Sequence, residues 1–119
     1  MRILDVSLVT QAIKEMCIEA NHFLAEDMKC ALDKATQEES STLGRQILEQ
    51  LQENLVIAGE DLIPICQDTG MAVVFAEVGQ DVHLTGGLLE EAIHEGVRQG
   101  YIEGYLRKSV GQSLYFRYE

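Results

Sequence analysis

Residues Pro64-Ile65-Cys66-Gln67-Asp68-Thr69-Gly70 string a thiol, an amide, a carboxylate and a hydroxyl along one loop, which begins at the chain's single proline. Each of these groups has its own chemistry. A thiolate can attack carbon or bind a soft metal, a carboxylate can carry a proton, and an amide can orient a polar group without adding charge. A loop entered through proline and left through glycine is a stiff place to present side chains, and functional groups tend to collect on such connections. From residue types alone, Cys66 stays open among a nucleophile, a metal ligand and a packed residue. A nucleophile would want a base such as histidine, and none is adjacent in sequence. A metal centre would want more ligands than the loop offers, and an iron–sulfur cluster normally takes several cysteine thiolates.

The other chemistry-bearing residues have plainer readings. Cys17 and Cys30 fall on apolar or boundary faces of helical patterns, where an unpaired cysteine behaves as a small hydrophobe. His22, His83 and His94 have no partner at a recognisable ligand spacing. Glu90 and His94 sit one helical turn apart, yet ordinary surface roles are expected for all three histidines. Glu38-Glu39 and Glu90-Glu91 read as solvated helix faces.

Several elements must position the loop. Leu8, Ala12, Ile13, Met16, Cys17, Ala20, Phe23 and Leu24 recur at three- and four-residue spacing, which gives an amphipathic helix with Asp5 or Ser7 as its cap. A second helix is expected from about Glu26 to Glu38, before a break and new cap at Ser40-Ser41-Thr42. A third carries Ile47, Leu48, Leu51, Leu55 and Ala58, with Gly59 as its stop. Met71 to Val78 is apolar and β-branched, and Gln80 to Thr85 follows across Gly79, so two strands, arranged as a hairpin, are expected. After Gly86-Gly87 a last helix runs through Leu88, Ala92, Ile93, Val97, Tyr101 and Tyr105. Its Gly96, Gly100 and Gly104 share a face that would let another backbone approach closely. The fold class is therefore α+β: a helical N-terminal half, a short β region and a further helix.

Composition bounds the function. At 119 residues the chain suits one modest globular domain. Its net charge of −11 disfavours phosphate backbones and anionic lipid surfaces, so neither nucleic acid nor membrane is an expected partner. Lys14, Glu15, Glu19, Glu26 and Asp27 interrupt any signal-like or spanning run near the start. Three widely spaced cysteines suit neither a disulfide framework nor a zinc knuckle, and reduced thiols in a cytoplasmic protein are the expectation.

The "PICQDTG" stretch, with "SLVTQAIKEMCIEANHFL" before it and "GGLLEEAIHEGVRQGYIEGYLRKSV" after it, resembles the N-terminal part of the alpha-type chain of iron–sulfur hydro-lyases, the class I fumarate hydratase and L-tartrate dehydratase family. The likeness runs from about Leu4 to Val110. It implies that Cys66 is one of three cysteine ligands of a 4Fe–4S cluster whose remaining iron takes the substrate. It also implies that Gln67 and Asp68 contact a dicarboxylate, and that Arg107, in "YLRKS", binds one of its carboxylates. Such an iron would act as a Lewis acid on the substrate hydroxyl, with Asp68 as the acid/base partner. Arginine suits a carboxylate because its fork makes two parallel charge-assisted hydrogen bonds. Thr69 would fix the loop or share the site, and Gly70 would permit the turn.

Residues 1–110 are thus expected to form the N-terminal part of a larger catalytic domain. Residues 111–119, "GQSLYFRYE", are read as not aligning with that family and are left unassigned, a non-native origin being one reading. The chain is read as a fragment or truncated product of a subunit that hydrates or dehydrates a dicarboxylate, and that works with a beta-type chain or domain in a homo- or hetero-oligomer. With one of three expected cluster ligands, the isolated chain is expected to be inactive. It is also expected to self-associate through its glycine face and apolar strand region. The competing expectation is an interaction or regulatory module that keeps the fold without catalysis.

Overall fold

The computed structural model describes residues 1–108. Its elements in chain order are β1 (Arg2–Asp5), α1 (Val6–His22), α2 (Glu26–Glu38), α3 (Thr42–Asp61), β2 (Val82–Thr85) and α4 (Leu89–Glu103). The α+β class follows. Two compact units are present, one of Met1–Ile18 with the residues from Gln67 onward, the other of Glu19–Cys66.

In the first unit, the Asp5 carboxylate accepts the Ser7 backbone N–H at 2.8 Å and so caps α1. Its bonds with Ser7 hold its carboxyl below the usual range. One face of α1 then packs on α4. Val6 and Ile13 are buried, as are Ala92, Gly96 and Gly100, which recur every four residues on α4. The Thr10 hydroxyl donates to the Ala92 carbonyl at 2.9 Å, so a polar residue on this face is satisfied across the helix pair.

The glycine face expected to lie open is covered by α1. A Cβ on Gly96 would stand 2.6 Å from the Thr10 carbonyl oxygen and 2.7 Å from the Ile13 Cβ, and one on Gly100 would stand 2.9 Å from the Cys17 Cβ. The approaching backbone is supplied by the chain itself. Gly96→Ala is expected to destabilise the chain by about 1–3 kcal/mol through overpacking, despite a helix-propensity gain of about 1 kcal/mol. The check is the urea midpoint; an unchanged midpoint would mean that α1 yields without cost.

The sheet departs from expectation. β2 pairs with β1, parallel, with Arg2 opposite Val82 and Asp5 opposite Thr85. No strand forms across residues 71–79. Propensity gives that run its strand character, but a strand exists only where a neighbour supplies the ladder. Val73 is 68% and Phe75 94% exposed. The four residues of β1 gave no sequence signal because their partner lies eighty positions along the chain.

In the second unit, α2 spans the expected residues. The Ser41 hydroxyl accepts the Gly44 N–H at 3.2 Å, as its place before α3 implied. Gln52 on α3 donates to Asp33 on α2. Gly59 does not stop α3. It lies inside the helix beside the Phe23 ring, and α3 ends at Asp61, capped by Leu62, which adopts the left-handed conformation with φ 51°. Among the described residues, no helix is long and apolar enough to cross a membrane.

Candidate functional site

The loop that follows α3 is anchored within the second unit at both backbone groups of Ile65. Its N–H donates to the Asn21 carbonyl at 2.8 Å, and its carbonyl accepts the Asn54 side-chain amide at 2.9 Å. His22, expected on the surface, is 3% exposed. Its Nε2–H donates to the carbonyl of the left-handed Leu62 at 3.1 Å, so a buried imidazole holds the turn by which the chain leaves α3. His22→Ala is expected to cost about 1–3 kcal/mol, through the lost hydrogen bond and the space left by the buried imidazole. The loss should appear in the urea midpoint, and a midpoint at the wild-type value would dismiss the role. His83 and His94 are exposed, as expected.

Cys66 ends this unit with its thiol exposed. Cys30, also exposed, lies on α2, where no residue is buried, so packing does not explain it as expected. Cys17 does pack, against Gly100 in the first unit, and burial pushes its thiol up, away from the reactive thiolate. Among the described residues, no group of three or more His, Cys, Asp or Glu side chains could hold a metal ion. Since a 4Fe–4S cluster takes several thiolates, these residues alone do not fit one; Cys66 can give a single ligand.

The first unit carries the rest of the motif. Gln67 and Asp68 are exposed, and Thr69 is half-buried. Asp68 Oδ1 accepts the Gly70 N–H at 3.2 Å, an Asx turn that draws the carboxylate over its own loop. Gly70 stands at φ 65°, where a side chain would be strained. The Thr69 hydroxyl donates to the Arg107 carbonyl at 2.8 Å, and the Tyr101 hydroxyl donates to the Gly70 carbonyl at a longer 3.4 Å.

Arg107 is placed by the way α4 ends. The Tyr105 N–H bonds to the Ile102 carbonyl at 3.4 Å, and the Leu106 N–H reaches the Tyr101 carbonyl at 3.0 Å. With Gly104 as C-cap, these are the two bonds of a Schellman motif, and the buried Leu106 supplies its apolar contact. The left-handed position, usually glycine, is filled by Tyr105 at φ 54°. The chain reverses there, and the next exposed residue is Arg107.

Sequence reading therefore singled out Gln67, Asp68 and Arg107, and the first unit joins their two segments through Thr69. It took Tyr101 for a stripe residue of α4 and missed its hydroxyl contact. It also missed Asn54, whose side-chain amide shows no pattern in a sequence, and the backbone carbonyl of Asn21.

The fumarate hydratase (Fumerase) family model matches residues 10–119, including the tail 111–119, which lies outside the described residues. The chain is 36% identical over 107 residues to a protein assigned as the L(+)-tartrate dehydratase subunit alpha of Methanocaldococcus jannaschii, covering 89% of this chain and 38% of that protein. It is 40% identical over 76 residues to the anaerobic class I fumarate hydratase of Escherichia coli K12, covering 64% of this chain and 14% of that enzyme. Fumarate hydratase 2 of Leishmania major is 32% identical over 97 residues, which are 81% of this chain and 17% of its own length. The chain spans less than half the length of each of these relatives.

Proposed function

Because the chain belongs to the fumarate hydratase (Fumerase) family, we propose that its residues 1–110 are the N-terminal part of an alpha-type hydro-lyase domain that reversibly adds water to, or removes it from, a dicarboxylate. The reaction is fumarate hydration to malate or the dehydration of tartrate. One observation carries the reading: Thr69 ties the loop of Gln67 and Asp68 to the segment of Arg107. A dicarboxylate needs two kinds of group, a cation for a carboxylate and a proton carrier for the carbon beside the leaving hydroxyl, and the tie joins the segments that hold them.

Asp68 moves the proton, and its Asx turn limits the search of its carboxylate. Arg107 binds a substrate carboxylate with its planar fork and offsets the repulsion between a dianion and a chain of net charge −11. Gln67 orients the substrate without adding charge. Cys66 provides one thiolate of a 4Fe–4S cluster, whose other ligands belong outside the described residues. A beta-type chain or domain is the proposed partner, in a homo- or hetero-oligomer in the cytoplasm; the relative named as a subunit alpha supports a two-part enzyme.

The test is an anaerobic preparation of the enzyme carrying these residues, with its beta-type partner, assayed for fumarate hydration and tartrate dehydration. Turnover of either substrate is expected. Neither reaction in a preparation with full iron and sulfide content would sink the reading. The 119-residue chain alone, reconstituted with iron and sulfide, is expected to be inactive. A full 4Fe–4S spectrum with turnover from it would show that no further ligands or partner are required.

A further inference from the structure

We infer that Thr69 and Tyr101 are positioning residues which set the span between the Gln67–Asp68 pair and the Arg107 guanidinium, and so the length of dicarboxylate that is accepted. This rests on the function proposed above and deepens it. Three observations lead to it. The Thr69 hydroxyl donates to the Arg107 backbone carbonyl at 2.8 Å, with Thr69 half-buried and Arg107 exposed, so the bond fixes the main chain while leaving the guanidinium to a ligand. The Tyr101 hydroxyl reaches the Gly70 carbonyl at 3.4 Å, a second and weaker brace from α4 to the same loop. The Schellman turn at the end of α4, with its left-handed Tyr105 and buried Leu106, leaves the segment of Arg107 little freedom except at the point Thr69 ties.

A two-headed anion is recognised only if the groups that meet its two ends stand a fixed distance apart, because a mismatch leaves one carboxylate without its partner. The loop on one side is closed locally by the Asx turn at Asp68, and the arm on the other by the helix terminus. The Thr69 bond is the direct link between them.

The experiment uses the assembled enzyme with its beta-type partner, comparing Thr69→Val, Thr69→Ser and Tyr101→Phe with wild type. Thr69→Val keeps the shape and removes the hydroxyl; it is expected to raise KM for the dicarboxylate by roughly tenfold, as loss of one such hydrogen bond implies, with kcat within a factor of a few. Thr69→Ser restores the donor and is expected to return KM towards wild type, while Tyr101→Phe should shift KM less. The ratio of kcat/KM between a four-carbon dicarboxylate and one lengthened by a methylene should also fall in Thr69→Val. Equal effects of Val and Ser, or a loss confined to the melting temperature with KM unchanged, would overturn the positioning role while the hydro-lyase reading stands. A wild-type enzyme without hydro-lyase activity would overturn both.

Discussion

Asp68→Asn in the assembled enzyme is expected to lower kcat by roughly 10²–10⁴-fold, the usual contribution of a positioned general acid or base. The substitution isolates proton transfer because the Asn side-chain carbonyl can still accept the Gly70 N–H that Asp68 Oδ1 accepts now. The Asx turn should persist, and with it the loop. Cluster absorbance and melting temperature are expected to stay at their wild-type values, since Cys66 is untouched. Asp68→Ala should lose the turn as well as the proton carrier, and so add a rise in KM to the loss in kcat. If Asp68→Asn turned over at the wild-type rate, Asp68 would serve only to shape the loop, and the proton would be handled by a group outside it.

Cys66→Ala is expected to abolish activity by a different route, through loss of the visible absorbance and iron content of the enzyme. The thiol is exposed, so its removal leaves no cavity, and the urea midpoint of the 119-residue chain should move by no more than about 0.5 kcal/mol in stability. Cys17→Ala and Cys30→Ala provide the contrast: each is expected to retain full iron content. Cys17→Ala alone should destabilise the chain, because Cys17 is packed beneath Gly100. Full iron content in Cys66→Ala would remove Cys66 from the ligand set and with it the role proposed for the motif.

The helices were legible in the sequence because each has an apolar stripe with the helical period and polar ends, and α2 shows this most plainly. The end of α3 was misjudged at Gly59 because glycine was taken as a stop. The left-handed turn falls on Leu62, where the buried His22 supports it from another helix. The sheet was read from local propensity, which favoured Met71–Val78 as well as Gln80–Thr85, whereas the pairing that forms joins only the latter, as Val82–Thr85, to a four-residue stretch eighty positions earlier. The Pro64–Gly70 loop stood out because its chemistry-bearing side chains are contiguous, while the roles given to them came from the family resemblance. What joins it to Arg107 was not: a threonine hydroxyl and a backbone carbonyl 38 residues apart leave no periodic trace.

The parallel pairing of β1 with β2 also gives the nascent chain an order of events. Arg2 leaves the ribosome long before Val82, its partner. At roughly 5–20 residues per second the delay is on the order of 4–16 s. During that interval the face of α1 that carries Ile13 and Cys17 has no α4 to cover it, while α2 and α3 already have each other. Early translation therefore yields an exposed apolar helix, a segment for a chaperone to hold, and a stalled product short of Gly100 would keep it exposed.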